Sequence, residues 1–386
     1  MKKRIAVIVE ASIYNQKGLF LAVHNRIINL SHIAEYEIDP YLISPYKPKW
    51  LTFICKEESQ SRPDTFTKDN IAYRIIWYKN NLIDYILYHK FKFRKIFKSL
   101  FFYKIASRFS KYDLINSHSG VGELSYIINK KYGIPFVTSW HGSDIHTTPA
   151  HSEYEYNATK KILESSKCNF FVSKGLLNMS NKLTENDAKV ILYNGCSTSY
   201  KSYSLEHKTQ IRERFNTTNK KVIAFVGNLI PIKNPLLLPE IFSSIYSRNS
   251  NVEFWIIGNG TQKSSLEVMT RGLPIKFWGN IDSNEMPDYY NSIDVVILPS
   301  KNEGLPLVCL EALSCGCNMV GSDVGGISEV IGTENVFPHG PNFTKEVADR
   351  VLFMLSKKVL QPISPMFDWK KTALIENDII VDIIKP

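Results

Sequence analysis

Short, nearly uninterrupted apolar runs alternate along this chain with segments whose apolar residues recur at helical spacing. That is the pattern of parallel sheets covered by helices on both faces. Residues 3–9 predict a first strand, residues 10–18 a loop, and Leu19, Val23, Ile27 and Leu30 one face of a helix over 19–33. Further strands are predicted at 41–44, 73–78, 112–118, 134–140, 168–173 and 189–193, with a helix at 121–131. The turn signal Asn194-Gly195 and the polar stretch 196–209 then read as a linker. A second series follows, with strands at 221–226, 252–257, 275–278 and 294–299. They run into Gly227-Asn228, Gly258-Asn259-Gly260, Gly279-Asn280 and a loop over 300–305. A helix near 345–356 and a helical tail from Phe367, including Trp369, close the chain. The expected fold is α/β: two Rossmann-like domains, 1–200 and 201–366, facing each other across a cleft. The helix 367–386 is expected to pack back toward the first domain.

The stretch 293–330 concentrates the chemistry. After its strand, the loop 300–305 carries Glu303, and a short helix is predicted from Pro306 to Cys315, proline being suited to a first turn and Gly316 to a left-handed cap. Glu311 lies inside that helix, eight positions beyond Glu303. The unpaired N–H groups of the helix start favour an anion between the two carboxylates. A ligand with a central phosphate and hydroxyls at both ends suits that geometry, and a nucleotide sugar is one. In the first series, the strand 134–140 delivers His141-Gly142-Ser143-Asp144 at its carboxyl end, where open α/β sheets bind ligands. The first loop has the single glycine Gly18, so the dinucleotide fingerprint is absent and a nicotinamide enzyme is not indicated.

Composition adds charge asymmetry. The chain of 386 residues carries a net charge of +10. Residues 1–200 hold 28 Lys+Arg against 17 Asp+Glu, and the remainder 19 against 20. The basic half is therefore expected to meet something anionic. Residues 88–112 contain eight Lys/Arg and no acid, interleaved with aromatic and aliphatic residues. Phe93, Ile96, Phe97, Leu100 and Phe101 have helical spacing, beside the row Lys90, Arg94 and Lys98. Two readings stand here: a core-packed helix with a solvated basic edge, or an amphipathic helix on anionic lipid headgroups. No nucleic-acid-binding module is recognisable, so nucleic acid is not an expected partner. No apolar run reaches the ~18 residues of a membrane-spanning helix. The opening MKKRIAVIVE has the basic-then-apolar look of a signal peptide, but Glu10 interrupts it and a strand is expected. The cysteines Cys55, Cys168, Cys196, Cys309, Cys315 and Cys317 are scattered without zinc spacing and read as buried reduced thiols.

Together these residues resemble a known family. Glu303-x7-Glu311 in EGLPLVCLEAL, the preceding DVVILPS, the following SDVGGISEVI, the earlier VGNLIPIKN and IIGNG, and HGSD fall in the order of retaining glycosyltransferases of family 4. These are the group 1 enzymes with the two-Rossmann GT-B architecture. The resemblance implies that Glu311 accepts hydrogen bonds from the donor ribose and that Glu303 contacts the transferred sugar. It implies that Gly304, Leu305, Pro306 and Leu307, with Gly227 and Asn228, line the donor site, and that Lys233 neutralises the leaving diphosphate. His141 is implied at the reacting centre, so the expected catalytic residues are His141, Glu303 and Lys233. Asp144 either orients His141 or contacts the acceptor, and Gly18 lets acceptor and diphosphate approach the backbone. The chain departs from the family in having Asn228 where an arginine is common, one glycine in the first loop, and Cys196-Ser197-Thr198 without the usual aspartate.

The resemblance implies a metal-independent, retaining hexosyltransferase without cofactor. It would use a donor such as a UDP- or GDP-sugar and a glycan or polyprenyl-linked acceptor in surface polysaccharide biosynthesis, of capsule or O-antigen type. The expected location is cytoplasmic and peripheral on the inner membrane face, through residues 88–112. The rival readings are an inactive membrane-associated scaffold, supported only by Asn228, and a two-Rossmann nucleotide-sugar epimerase.

Overall fold

The structure, a computed structural model, describes residues 2–14, 18–46, 61–357 and 359–385. It divides into two compact units, Met1–Tyr193 with Trp369–Pro386, and Asn194–Asp368. Cys55 lies outside the described residues; the other five cysteines are free, and all but Cys196 are buried.

Unit 1 is built on an eight-stranded sheet of order β3-β4-β2-β1-β5-β6-β7-β8. In chain order the strands are β1 (Arg4–Glu10), β2 (Glu37–Tyr46), β3 (Thr65–Lys68), β4 (Ile71–Lys79), β5 (Leu114–His118), β6 (Phe136–Trp140), β7 (Asn169–Phe171) and β8 (Lys189–Ile191). Every pairing is parallel except β3 with β4. The hairpin strand β3 was not expected: Thr65-Phe66-Thr67-Lys68 is short, half exposed and lies at the sheet edge, so it has no long apolar run to betray it. The apolar run after the first basic residues is the central strand β1, paired with β2 on one side and β5 on the other.

The helix Trp369–Ile384 belongs to unit 1. Ile380 joins Ile5, Leu114 and Val137 in one buried cluster, and Thr372 Oγ1 donates to the Tyr193 carbonyl at 2.6 Å. Beneath this helix Glu376 is fully buried and forms an ion pair at 2.8 Å with Arg26 of the helix Leu19–Ser31. Asn116 of β5 donates to the same carboxylate, and Arg26 also donates to Ser139 Oγ on β6. A charge pair out of water holds only while both members remain.

Residues 80–112 do not form one amphipathic helix. The structure has the helix Leu82–His89, a break with Lys92 at φ +54°, the helix Ile96–Ile105 and a 3₁₀ turn Ala106–Phe109. The cause is a cap: buried Asp84 accepts from the N–H groups of Phe97 and Lys98 at 3.0 and 2.9 Å and so starts a new helix there. The row Lys90, Arg94 and Lys98 is therefore not on one helix. The core face is Phe102, Ile105 and Phe109, whereas Phe93, Phe97 and Leu100 of the expected face are exposed.

Unit 2 has a six-stranded parallel sheet of order β11-β10-β9-β12-β13-β14. Its strands are β9 (Lys221–Val226), β10 (Val252–Ile257), β11 (Ile275–Gly279), β12 (Val295–Leu298), β13 (Asn318–Ser322) and β14 (Val336–Phe337). The helices Leu238–Tyr246 and Phe343–Lys357 cover a core that includes Phe225, Phe242, Phe254, Ile297 and Val347. The stretch 196–209 is not all linker: Ser204 caps a helix Leu205–Arg214 through the His207 N–H.

Replacing Glu376 by alanine strands Arg26 in the core of unit 1. The expected loss is about 3–5 kcal/mol, read as a lower urea midpoint for the transition of that unit. Breaking the exposed Asp382–Lys385 pair, a control on the same helix, should move it little.

Candidate functional site

In both sheets the strand order reverses beside the first strand of the unit, and the crevice at such a switch point is where α/β sheets take ligands. In unit 2 that point lies between β9 and β12. The loop after β9 carries Gly227, Asn228 and Lys233; the loop after β12 carries Ser300 and Glu303. The two are tied by the Lys301 N–H, which donates to the Ile232 carbonyl at 2.8 Å. Lys233 sits one residue before Asn234, which takes a left-handed conformation and turns the chain into the following helix. The result is a contact between two of the expected site residues: Lys233 Nζ lies 2.5 Å from Glu303 Oε1, with side-chain exposures of 25% and 8%. Ser300 Oγ donates to the same oxygen at 2.7 Å.

The glycine loop after β13 holds this arrangement from behind. Gly325 has φ +58°, and a Cβ there would sit 1.8 Å from the Glu303 carbonyl oxygen. The next N–H, of Gly326, donates to the Gly304 carbonyl at 2.8 Å. The Gly258 loop is pressed as closely on Gly227, whose carbonyl oxygen would lie 2.0 Å from an added Cβ. Only glycine permits such approaches.

Pro306 is not the first helical residue. It is the extended N-cap (ψ 123°) of the helix Leu307–Ser314, and Gly316 with φ +89° follows the helix end. The ring still fixes the entry, and the unpaired N–H groups of the first turn begin at Leu307. Glu311, farther along, accepts from Tyr290 Oη at 3.1 Å. Burial pushes its carboxyl up to about 7, with the Tyr290 hydrogen bond opposing that rise. Tyr200 packs edge-on against Tyr290 at 6.0 Å, and Asn194 Nδ2 donates to the Leu305 carbonyl at 3.3 Å. Tyr200 comes from the stretch read as linker and Asn194 from the turn signal just before it; neither setting pointed to the site. Asn228 has its carbonyl engaged by the Ile230 N–H.

In unit 1 the switch point lies between β1 and β5. Gly18 is the N-cap of the helix after β1, and nothing lies within 4 Å of a Cβ built on it, so its φ of +54° rather than crowding selects glycine. His141 follows β6, and its Nε2 is 3.2 Å from His118 Nδ1 at the end of the neighbouring β5. Asp144 turns back on the loop and accepts from the N–H groups of His141, at 3.0 Å, and Gly142, at 2.8 Å. It therefore orients the His141 backbone. Burial raises the Asp144 carboxyl, and those N–H groups oppose the rise. Burial, then the Arg26 charge, pushes His141 down to about 3 and His118 well below its ordinary value. Both rings are neutral near pH 7. His118, Arg26 and Glu376 were not expected at the site; histidine at a strand end was the one available signal, and the ion pair spans 350 positions of sequence. Among the described residues no group of three or more His, Cys, Asp or Glu is placed to hold a metal ion.

Comparison with known proteins follows this geometry. Residues 220–357 match the family model described as glycosyl transferases group 1. A Bacillus subtilis protein provisionally assigned to teichuronic acid biosynthesis, the glycosyltransferase TuaC, is 27% identical over 253 residues. That alignment takes in 65% of this chain and 63% of the relative, so the chain spans less than two thirds of that relative's length. An uncharacterized glycosyltransferase of Methanocaldococcus jannaschii is 24% identical over 77% of this chain and 84% of its own. Among solved structures, sucrose-phosphate synthase from Thermosynechococcus elongatus superposes with a TM-score of 0.76 at 16% identity over 99% of both chains. Anabaena HepE, in complex with UDP and glucose, gives 0.68 at 14% identity over 99% of this chain and 97% of its own. Both likenesses concern the fold.

The raised Glu311 carboxyl has a consequence for stability. In the unfolded chain it ionises at its ordinary value of 4.5 and in the folded unit at about 7. Its contribution is thus fully present below the lower value and lost as pH rises through the upper one. Glu311→Gln should flatten the fall in unit 2 stability between about pH 5 and pH 8, measured by urea denaturation across that range.

Proposed function

We propose that the chain, whose residues 220–357 match the group 1 glycosyl transferases, moves a sugar from a nucleotide-diphosphate sugar to a glycan or lipid-linked acceptor with retention at the anomeric carbon. The carrying observation is the contact of Lys233 with Glu303 at a switch point beside a helix start. It joins a cation, a carboxylate able to take sugar hydroxyls and anion-seeking N–H groups in one place. In this reading the diphosphate rests on Lys233 and the first turn of the helix Leu307–Ser314, which takes the place of a metal ion. Glu303 accepts from hydroxyls of the transferred sugar, and Glu311 accepts from the two ribose hydroxyls. The bond from the anomeric carbon to the diphosphate oxygen breaks with its electron pair left on that oxygen, which Lys233 neutralises as the charge develops. The acceptor oxygen forms the new bond on the same face, and its proton passes to the departing diphosphate. A neutral His141 takes part through a hydrogen bond, not through charge.

Fold neighbours solved in complex with UDP favour a nucleotide sugar as donor, and the similarity to TuaC favours a polysaccharide as product. Calorimetry with a panel of UDP-, GDP- and ADP-sugars tests the donor site. One donor should bind, and Glu311→Ala should weaken it by about 1.5–3 kcal/mol, roughly ten- to hundredfold. Donor affinity should rise from about pH 6 to pH 8 as the carboxyl ionises. Binding indifferent to Glu311 would sink the assignment, and turnover above background with any donor would exclude the scaffold.

The acceptor is reached, in the same reading, from an anionic membrane surface. No helix among the described residues is long and apolar enough to cross a membrane. Instead Leu82, Tyr85, Phe97, Leu100 and Tyr103 are exposed on the helices Leu82–His89 and Ile96–Ile105, and Phe91 in the break between them, with Lys90, Lys92, Lys104 and Arg108 exposed in and just after the same segment. Buried apolar area and attraction to anionic lipid add in such a surface. The protein should float with vesicles containing phosphatidylglycerol at low salt, and Phe97→Glu with Leu100→Glu should release it. Equal flotation of that double variant would reject this segment as the contact.

A further inference from the structure

Two adjacent tyrosines, Tyr289 and Tyr290, stand on the helix Met286–Ser292 just before β12. About 100° of helix rotation separates neighbours, so the two rings face different ways. Tyr289 is half-buried and packs against Trp278 and Phe215, with ring centroids 5.1 and 4.8 Å away. Tyr290 is fully buried, and its hydroxyl is the one that reaches Glu311.

The two carboxylates of the candidate site are held by different means. Glu303 has an ammonium and a hydroxyl on Oε1, from Lys233 and Ser300. Glu311 has no cation beside it among the described residues. The Tyr290 phenol, 3.1 Å from Oε2, is the sole hydrogen-bond donor to its carboxylate among them. An ionised carboxylate accepts through both oxygens, and no described residue bonds Oε1. Buried with one donor, the carboxylate is short of hydrogen bonds. Hydroxyls of a ligand can complete its shell.

Tyr290 is itself fixed. Tyr200 packs edge-on against its ring at 6.0 Å, and its carbonyl accepts from Cys317 Sγ at 2.9 Å. The hydroxyl therefore has little freedom to leave Oε2. The other titratable groups around Glu311 do not change charge near neutral pH. Tyr290, Tyr200 and Cys196 face it from other elements, and Cys309 and Cys315 from its own helix and helix end. Burial pushes Cys196 and Cys315 up to about 12, and raises Tyr200, Tyr290 and Cys309. Glu311 is thus the group of this set that titrates between about pH 5 and pH 9.

We propose that Tyr290 is a positioning residue of the donor site: its hydroxyl holds one oxygen of the Glu311 carboxylate and presents the other to the ribose hydroxyls of a nucleotide sugar. The proposal rests on the transferase reading and adds to it the group that orients Glu311. The phenol transfers no proton; it stays neutral and donates throughout. Its bond is stronger to a carboxylate than to a carboxylic acid, so it favours the charged form against the effect of burial. Removing the hydroxyl raises the Glu311 carboxyl further and moves ribose binding to higher pH.

Calorimetric titration of the full chain with UDP-, GDP- and ADP-glucose from about pH 6 to pH 9 tests it. The diphosphate of these ligands is a diester and keeps its charge over that range, so the profile reports the protein. Tyr290→Phe removes one oxygen and keeps the ring. It should move the midpoint of the rise in affinity up by about one pH unit, as expected for the loss of a charge-assisted hydrogen bond. At pH 7 that is about a fivefold loss of affinity, and the two curves should converge toward pH 9. Glu311→Gln should flatten the profile, and Tyr290→Phe added to it should leave it flat. Tyr289→Phe should leave the midpoint in place. Urea denaturation across the same range follows the Glu311 carboxyl without any ligand, and its upper midpoint should move by the same amount in Tyr290→Phe. A Glu311 profile unmoved by Tyr290→Phe, or moved equally by Tyr289→Phe, overturns the proposal whichever way the donors behave. A moved profile in a protein that binds none of the three donors overturns the transferase reading, and with it the ligand assigned to Glu311, and leaves only the pair.

Discussion

The ion pair between Lys233 and Glu303 is the constraint around which unit 2 is arranged. A carboxylate with 8% of its side chain exposed needs a compensating charge and a hydrogen-bond donor, and Lys233 and Ser300 supply them. The two loops that carry the pair are neighbours only because β9 and β12 lie side by side where the strand order reverses. The Glu303 loop can lie where it does only because Gly325 has no Cβ. Three apolar strands, one lysine and one glycine thus form a single device. The pair orients the Lys233 ammonium before any ligand arrives, and in the proposed reaction that lowers the reorganisation needed when charge develops on the leaving group.

Unit 1 solves a different electrostatic problem. Its strand ends present two histidines in contact and a buried carboxyl, above a guanidinium that is itself buried. An unneutralised Arg26 would be costly in this interior, and Glu376 from the last helix neutralises it. The C-terminal helix is therefore more than apolar cover. Burial and the charge of Arg26, the residue that this helix holds in place, keep His118 and His141 uncharged. Asp144 fixes the His141 backbone while His118 meets its ring, so the side chain is constrained from both ends.

The fold class and the loops that carry the candidate site were legible because they rest on short-range rules. Apolar runs ending in Gly227, Gly258 and Gly279 announce parallel strands followed by tight loops, and Glu303 and Glu311 flank a proline that marks a helix start. What was not legible depends on partners far apart in sequence. Asp84 breaks the expected helix at 90–95 by capping residues thirteen and fourteen positions ahead. Tyr200 and Asn194 sit in a polar stretch with no periodicity and acquire a role only by lying against Tyr290 and Leu305. The helix 367–386 was expected near the first domain, but the buried carboxylate that secures it could not be paired with Arg26 by any local pattern.

The charge asymmetry of the chain, finally, is not a uniform basic surface. Lys98 is spent on Glu10, and Arg4 with Arg74 on Asp39. Part of the positive excess of the first half is thereby neutralised inside the fold. Lys98, turned inward, meets Glu10, while Lys90, Lys92, Lys104 and Arg108 stay exposed on the segment that also exposes Phe97, Leu100 and Tyr103. A single helix does not describe that stretch, because the Asp84 cap divides it into two, with Phe102 and Ile105 buried and Phe97 and Leu100 exposed.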